Sequence, residues 1–310
     1  MNQVLESIKI VTTDPKFVTI NKENIGEFCN NFKINTIDIN SFQTKDFFKN
    51  LTDERKFGFI LTLASQNACY FGEPKWTVSF NGEEYDGYYA MLLSFERALS
   101  EGNDLTNSTF LENLTLEKLK EIFRGNVEVP VLDLRLSGLK EIGKIVNTKY
   151  GGKFSNLFDS KDLFVLLNRI IEFSIFNDYS IIDGKKIYFY KKAQLALTDI
   201  HRIMFKLDRF NELTAMADYK IPQMLRNLGI LIYSSDLANR VDNKIEILHN
   251  SLEEIEIRAQ AINAVDLIKN ELVKKNLSVN SIDIDVSLWL ASQDKNIPTK
   301  PYHRTRTIFY

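Results

Sequence analysis

The spacing of apolar residues along the chain is mainly helical. Between residues 88 and 99 they recur at intervals of three and four, and Gly102 follows where a helix C-terminal cap belongs. Residues 160–173 and 190–204 show the same spacing. Ser251-Leu252-Glu253-Glu254 has the form of a capping box and predicts the start of another long helix.

Strand patterns are fewer and short. Residues 56–62 form one apolar run that predicts a strand. Residues 76–80 alternate between apolar and polar, and Asn81-Gly82 is a typical two-residue hairpin turn leading to residues 83–85. A second hairpin is predicted over residues 181–189, around Asp183-Gly184.

These elements predict an α+β protein that is predominantly α-helical, with a small antiparallel β element. No internal repeat, low-complexity tract or Pro/Gly/Ser-rich linker divides the chain. We therefore expect one globular domain over residues 1–310, with a helical N-terminal part over residues 1–56.

Composition narrows the class of protein. The 310 residues carry 39 Lys+Arg against 41 Asp+Glu, a net charge of -2, which argues against a general nucleic-acid or membrane-surface binder. Two cysteines cannot form a disulfide framework, and the first residues lack the pattern of a secretory signal, so we expect a cytoplasmic protein without a membrane segment. The 22 Phe and 12 Tyr residues suit a pocket that stacks a flat ligand.

Most standard catalytic motifs are absent from the sequence. No Gly-x-Gly-x-x-Gly follows a strand, no nucleophile elbow is present, and Gly151-Gly152-Lys153 lacks the glycine spacing of a phosphate loop. The three histidines, His201, His249 and His303, are not spaced as zinc ligands. An enzyme with this sequence is expected to use carboxylates, positioned cations and aromatic rings.

One candidate carboxylate lies just before a predicted short helix. In Ala217-Asp218-Tyr219-Lys220-Ile221-Pro222-Gln223, Pro222 suits the first helical position, and Gly229 suits the C-terminal stop. The positive end of the helix favours the ionised form of Asp218. Two interpretations remain open: a structural capping carboxylate, or an ionised carboxylate directed at a developing cation.

Two further segments carry candidate binding residues. Asp285 and Trp289 are four residues apart and share a helical face, which suits recognition of a planar heterocycle or, alternatively, a solvated Asp beside a core Trp. Near the C-terminus, His303, Arg304 and Arg306 alternate with hydroxyl residues, which suits a phosphate or a solvated edge strand. Lys191, in Tyr190-Lys191-Lys192, is by default a solvated lysine at a helix start.

Taken together and in this order, the segments resemble the queuosine salvage proteins, the family of queuosine 5′-phosphate N-glycosylase/hydrolases. The similarity runs from about residue 57 to residue 310. Its pieces are Tyr85-x-Gly87-Tyr88-Tyr89, Arg97-Ala98-Leu99-x-Glu101-Gly102, Lys149-x-Gly151-Gly152-x-Phe154, Phe189-Tyr190-Lys191-x-Ala193-Gln194, Ala217-Asp218-Tyr219-x-Ile221-Pro222-Gln223, Glu256-Ile257-Arg258, Asp285-x-x-Leu288-Trp289 and Ile297-Pro298 followed by His303-Arg304-x-Arg306 and Tyr310.

The resemblance implies a helical fold similar to base-excision DNA glycosylases and hydrolysis of the N-glycosidic bond of queuosine 5′-phosphate. The products would be queuine, for tRNA modification, and ribose 5-phosphate, with no metal or redox cofactor. The balanced charge argues against a stable nucleic-acid complex, and a single-domain enzyme with a pocket can be a monomer. It implies that Asp218 stabilises or captures the ribosyl cation and that Lys191 pairs with Asp218 or binds phosphate. The other residues expected to bind substrate are Asn67, Tyr70, Phe71, Tyr219, Lys220, Asp285, Trp289, His303, Arg304 and Arg306. The alternative is a protein that binds a nucleoside or modified tRNA without cleaving it.

Overall fold

Helices form most of the backbone in the computed structural model, which describes residues 2–35, 48–294 and 296–310. The predicted α+β class with helices predominating is confirmed. In chain order the helices are α1 (Gln3–Thr12), α2 (Lys22–Asn31), α3 (Asp53–Gln66), α4 (Gly87–Ser100), α5 (Ser108–Glu112), α6 (Leu116–Ile122), α7 (Leu132–Lys149), α8 (Phe154–Leu157), α9 (Leu163–Ile170), α10 (Lys191–Asp199), α11 (Lys220–Asn227), α12 (Ser235–Asp242), α13 (Leu252–Lys274) and α14 (Ser281–Ala291).

The strands pair only as short antiparallel ladders. They are β1 (Val18–Ile20), β2 (Thr77–Phe80), β3 (Glu83–Asp86), β4 (Tyr179–Ile182), β5 (Lys185–Tyr188) and β6 (Leu231–Tyr233). The ladder of β1 with β6 aligns Val18 with Tyr233, whereas β2–β3 and β4–β5 are hairpins between neighbours in sequence. Both predicted hairpins are therefore confirmed.

The backbone divides into two compact units, each built from separate stretches of sequence. Within the described residues, unit 1 comprises 2–35, 178–194 and 211–306, and unit 2 comprises 48–177, 195–210 and 307–310. The helical N-terminal part predicted over residues 1–56 is represented by α1, α2 and the start of α3. Residues 36–47, which that prediction also covered, lie outside the described residues.

Unit 1 is organised around α13, whose residues from Glu254 to Ile262 are all buried. A helix that is enclosed on every side must contact neighbours around its whole circumference, and α1, α2, β1, α11 and α14 pack against it. The carboxylate of Glu256 accepts hydrogen bonds from the backbone of Lys16 (2.9 Å), Phe17 (2.7 Å) and Val18 (3.0 Å), which fixes β1 beside the helix.

Unit 2 contains α3, and here the strand predicted over residues 56–62 is wrong. These residues lie inside a helix of which every residue from Phe57 to Gln66 is buried. Thr52 caps this helix by accepting from the N–H of Arg55 (3.4 Å). A continuous apolar run does not distinguish a buried strand from a helix buried on all sides, because neither has a polar face to set the period.

Two predicted helix starts differ in detail. Pro222 is the third residue of α11 rather than the first, because the helix begins at Lys220; its missing N–H costs no hydrogen bond within the first turn. Ser251 caps α13 as predicted, accepting from the N–H of Glu254 (3.3 Å). The Glu254 carboxylate, however, accepts from Asn250 (3.1 Å) and does not close the capping box.

The predicted C-terminal ends of two helices agree with the structure. Gly102 and Gly229 follow α4 and α11 with φ of 84° and 67°, values that favour glycine. Among the described helices none is both long enough and apolar enough to cross a bilayer.

The contact between α5 and α7 generates a stability prediction. A Cβ at Gly143 would lie 2.4 Å from the backbone nitrogen of Glu112 and 2.5 Å from the carbonyl of Ser108, and backbone atoms cannot move aside cheaply. We expect Gly143→Ala to lower the free energy of unfolding by roughly 1–3 kcal/mol. Gly26→Ala in α2 is the matched control, since its Cβ meets nothing within 4 Å, and it should stabilise by about 0.5–1 kcal/mol. Equal effects of both changes in urea unfolding would contradict the close packing.

Candidate functional site

Asp218 lies at the start of α11 and caps it. Its Oδ1 accepts the backbone N–H groups of Lys220 (2.7 Å) and Ile221 (3.0 Å). Among the described residues no hydrogen bond reaches Oδ2, and the side chain is half-buried. The capping interpretation is therefore correct for one oxygen, and it fixes the direction of the other.

The segment that carries Asp218 is fixed from two helices. Asp285, on α14, accepts the N–H of Met216 through Oδ2 (2.7 Å). Arg258, on α13, donates from Nε to the carbonyl of Ala217 (3.0 Å). The two residues that precede Asp218 are thus tied to side chains that are themselves buried, which limits the positions that the Asp218 carboxylate can take.

Arg258 also forms a fully buried ion pair. Its two terminal nitrogens donate to the two carboxylate oxygens of Asp178, at 3.0 and 2.5 Å, and Glu254 lies 3.5 Å away one turn earlier in α13. The guanidinium carbon lies 3.9 Å from the centre of the Phe189 ring. This fork-to-fork geometry, with an aromatic face beneath it, is one that lysine cannot reproduce.

Asp178 in turn fixes the backbone that leads to Lys191. Its carbonyl accepts from the N–H groups of Phe189 (3.0 Å) and Tyr190 (3.2 Å), and its Oδ2 accepts from that of Lys191 (3.4 Å). Tyr190 has a φ of 52°, a left-handed conformation that is uncommon for an aromatic residue. The turn before Lys191 is therefore held in a conformation that it would not readily adopt alone.

Lys191 is buried, so the expectation of a solvated lysine is wrong. Only 3% of its surface is exposed. Burial lowers its pKa to about 8, against the carboxylates of Asp218, Asp285 and Asp178, which raise the pKa, while Arg258 lowers it further. Because the charges of Asp218 and Asp285 raise the pKa of Lys191, all three side chains belong to one charge cluster in unit 1.

Asp285 and Trp289 share the inner face of α14, as the four-residue spacing predicts. Asp285 is buried, and Trp289 is partly buried against the apolar core of unit 1. The Asp285 contact with Met216 shows that its carboxylate faces the Asp218 segment.

The segment 301–306 is extended but does not form the edge strand that was one of its interpretations. It makes a single bridge, between Arg304 and Glu246. The rings of Tyr302 and Tyr219 lie 4.7 Å apart, and the Lys220 ammonium lies 5.3 Å from the centre of the Tyr302 ring. This contact brings the C-terminal candidates next to the first turn of α11.

The three C-terminal candidate cations differ in environment. His303 is buried, and desolvation, together with Arg258, lowers its pKa to about 4, although Glu254 opposes the shift. Its imidazole is therefore neutral at pH 7. Arg306 is half exposed and pairs with Glu246 at 2.7 Å, a contact that is weak in water. Arg304 is partly buried.

Unit 2 holds the remaining candidates, Asn67, Tyr70 and Phe71, after the end of α3. The Tyr70 hydroxyl donates to the carbonyl of Gln66 (2.9 Å), and desolvation raises its pKa. Arg135 is fully buried and donates to the carbonyls of Gln66 (2.5 Å) and Ala68. Tyr70 and Phe71 are buried as well. This turn is thus organised by a cation that was not among the predicted residues.

Comparison with known proteins gives the chain a family. The model of the queuosine salvage protein family matches residues 48–310. The chain belongs to this family. A queuosine 5′-phosphate N-glycosylase/hydrolase from Sphaerobacter thermophilus is 36% identical over 260 residues, 81% of this chain and 80% of that protein. The protein of the same name from Mus musculus is 31% identical over 83% of each chain, and that from Nematostella vectensis is 30% identical over 100% of this chain and 99% of its own.

The predicted site residues of this family member fall into two sets. Unit 1 contains Lys191, Asp218, Tyr219, Lys220, Asp285, Trp289, His303, Arg304 and Arg306, and unit 2 contains Asn67, Tyr70 and Phe71. Within unit 1, Asp285 contacts the backbone that leads to Asp218, and both carboxylates raise the pKa of Lys191. Sequence reasoning did not select Asp178 or Glu254, and it quoted Arg258 only as part of a motif. The sequence gives no local signal for their burial, because Glu254 and Arg258 lie in a charged stretch with Glu253 and Glu256, as on a solvated helix face.

Residues 2–35, 48–294 and 296–310 contain no group of three or more His, Cys, Asp or Glu side chains arranged to hold a metal ion. The two cysteines, Cys29 and Cys69, are buried free thiols. The expectation that catalysis needs no metal stays a prediction.

Lys191 generates a prediction about stability and pH. Its pKa is about 8 in the folded protein and 10.5 without burial, so between these values the unfolded chain binds more protons. The folded protein should therefore gain stability from this group as pH rises from 8 to 10.5, by at most about 3 kcal/mol. Lys191→Met lacks this gain. Urea unfolding of the wild-type protein and the variant at pH 7 and pH 10 measures this gain. If the difference in unfolding free energy between the two proteins is the same at both pH values, Lys191 titrates as it would without burial.

Proposed function

We propose that the protein hydrolyses the N-glycosidic bond of queuosine 5′-phosphate, releasing queuine and ribose 5-phosphate. Membership of the family and the names of its curated relatives support this substrate. The observation that carries the proposal for this chain is Asp218: one oxygen is fixed by the first turn of α11, and the carboxylate acts electrostatically on buried Lys191.

The bond that breaks joins the anomeric carbon of ribose to the base nitrogen. Its electron pair leaves with the base, and positive charge develops on the sugar as an oxocarbenium-like cation. The Asp218 carboxylate stabilises this charge, or captures the carbon until water replaces it. A water oxygen finally bonds to the carbon, and the two protons of that water are divided between the departing base and the new hydroxyl group.

The charges around Lys191 suit a cation on the substrate. Asp178, Asp218 and Asp285 act on the lysine together with a single guanidinium, that of Arg258. Among the groups that shift this pKa, three carry negative charge and one carries positive charge, so negative charge predominates around the lysine. Positive charge that develops on the ribose offsets this excess, and fixed charges in a water-poor site act without having to reorganise.

The leaving base needs contacts of its own. A 7-deazapurine has carbon at position 7 and cannot be protonated there, so recognition must use its other edges. We assign the paired N–H donors of the guanine-like edge to Asp285, whose carboxylate faces the Asp218 segment through its contact with Met216. Trp289 in unit 1, and Asn67, Tyr70 and Phe71 in unit 2, remain candidates for stacking or polar contact.

The 5′-phosphate requires donors near the ribose. Lys220 lies two residues after Asp218 and contacts Tyr302, and Tyr219 contacts the same ring. We assign the phosphate to Lys220 together with Arg304, with His303 as a neutral donor. Arg306 is a weaker candidate because Glu246 already pairs with it, and Lys191 is better suited to pairing with the carboxylates.

The remaining expectations belong to the same proposal. The fold would be similar to that of DNA glycosylases, and residues 1–310 would act as one domain. The enzyme would work as a monomer in the cytoplasm, without a metal or redox cofactor, and would form no stable complex with nucleic acid, for which the net charge of -2 is unsuited.

The first test replaces the proposed carboxylate. Asp218→Asn retains an oxygen that can cap α11 but removes the negative charge, so we expect a loss of at least roughly 10²–10³ in kcat. Purified protein is incubated with queuosine 5′-phosphate, and free queuine is measured by mass spectrometry. Asp183→Asn is the matched control, since Asp183 is exposed at the β4–β5 turn with a φ of 48°, a conformation that Asn tolerates.

The outcomes separate the proposed functions. Full turnover by folded Asp218→Asn would contradict the assigned role of Asp218. Tight binding of queuosine 5′-phosphate by the wild-type protein, without release of queuine, would favour the alternative of a binding protein that does not cleave.

The pH dependence of the reaction tests Lys191. If its ammonium form balances the carboxylates, kcat/KM should fall above about pH 8, where the lysine loses its proton. Lys191→Arg keeps its charge to higher pH and should move this decline upward or abolish it. A rate that instead rises through pH 8 would make neutral Lys191 a general base and would contradict the assignment.

A further inference from the structure

Arg258 touches two segments that are distant in sequence. Its Nε donates to the carbonyl of Ala217, directly before Asp218, and its other two nitrogens donate to Asp178. Asp178 holds the backbone of Phe189, Tyr190 and Lys191. A single guanidinium therefore connects the segment of the proposed catalytic carboxylate with that of its lysine partner.

All the groups in this connection are buried. Arg258 and Glu254 have no exposed surface, and Asp178 has 1%. The cost of removing an arginine from water is offset only if its donors are well used, and here all three nitrogens of the guanidinium donate. Rotation of the Arg258 side chain would break its hydrogen bonds to both segments, so Arg258 holds the two segments rigidly relative to each other.

We propose that Arg258 is a positioning residue, which sets the place of Asp218 relative to Lys191 through the Ala217 carbonyl and Asp178. The proposal rests on the proposed function. It assigns no contact between Arg258 and the substrate, and its effect on the reaction passes through Asp218.

Such a role gives a defined kinetic pattern. Misplacing a catalytic group by about 1 Å costs on the order of 10²-fold in rate. We therefore expect Arg258→Lys, which keeps the charge but loses the fork, to lower kcat by roughly 10- to 100-fold. KM should change by less than about twofold, because ground-state binding of base and phosphate does not depend on the exact place of Asp218.

The decisive measurement is a double-mutant cycle with Asp218→Asn. If Arg258 acts through the Asp218 charge, Arg258→Lys should lower the rate much less when that charge is already absent. Single-turnover assays with enzyme in excess follow release of queuine in all four proteins. An equal fold-loss from Arg258→Lys in both backgrounds would overturn the proposal, as would unchanged kcat in the single variant.

A matched control excludes a general effect of replacing a buried arginine. Arg226 is 6% exposed and pairs with both oxygens of Asp242, at 2.7 and 3.0 Å, in the same unit. Arg226→Lys should therefore destabilise the protein without the loss in kcat. If Arg226→Lys lowers kcat as much as Arg258→Lys does, the effect is structural and the inference fails.

A second variant covers the case in which Arg258→Lys does not fold. Asp178→Asn keeps the shape of the partner but removes the charge that faces Arg258 and Lys191. It should show the same loss in kcat and the same dependence on Asp218. Additive effects of Asp178→Asn and Asp218→Asn would overturn the proposal. Failure of the wild-type protein to release queuine would refute the proposed function, whereas an active wild-type with additive variants would refute only the role of Arg258.

Discussion

The arrangement of charge in unit 1 depends on one buried ion pair, that of Arg258 with Asp178. Each ion would cost several kcal/mol to bury alone, so neither position tolerates loss of its partner. Such a pair adds little net stability compared with well-packed apolar residues. What it supplies is geometry: the planar fork permits one alignment of two carboxylate oxygens and leaves Nε in a fixed direction, towards Ala217.

The neighbouring carboxylates are tolerated because backbone groups compensate them. Oδ1 of Asp218 accepts two N–H groups at the positive end of α11, and Oδ2 of Asp285 accepts that of Met216. Backbone donors carry no formal charge, so they stabilise an anion without neutralising it. The negative charge of these carboxylates can therefore act on a nearby cation.

The sequence correctly predicted the elements whose conformation is set by residues adjacent in the chain. The Asn81-Gly82 turn, the hairpin around Asp183 and the glycine after α4 follow from backbone preferences that a short segment expresses alone. The strand prediction for residues 56–62 is wrong because α3 is buried on all sides, so its residues show no polar face from which a helical period could be recognised. The burial of Lys191 was not predicted either, because it depends on packing against residues that are distant in sequence.

The network around Asp218 was only partly accessible to sequence reasoning. The carboxylates Asp218 and Asp285 stood out through their local motifs, but the contact between Asp285 and Met216 joins residues 69 apart, and that between Arg258 and Asp178 joins residues 80 apart. No local spacing encodes such pairs. The order of the motifs along the chain indicated the family, but it did not show which residues of different motifs contact each other.

Capping and catalysis are compatible roles for Asp218, although the sequence presents them as alternatives. A carboxylate has two oxygens with about four acceptor positions, and the helix uses only Oδ1. The two hydrogen bonds to Oδ1 restrict rotation of the side chain, so Oδ2 has a defined direction before any substrate arrives. An unrestrained aspartate would lose conformational entropy on meeting a cation, whereas the capped aspartate has already lost it on folding. The structural role is thus what makes the side chain suitable for the chemical one.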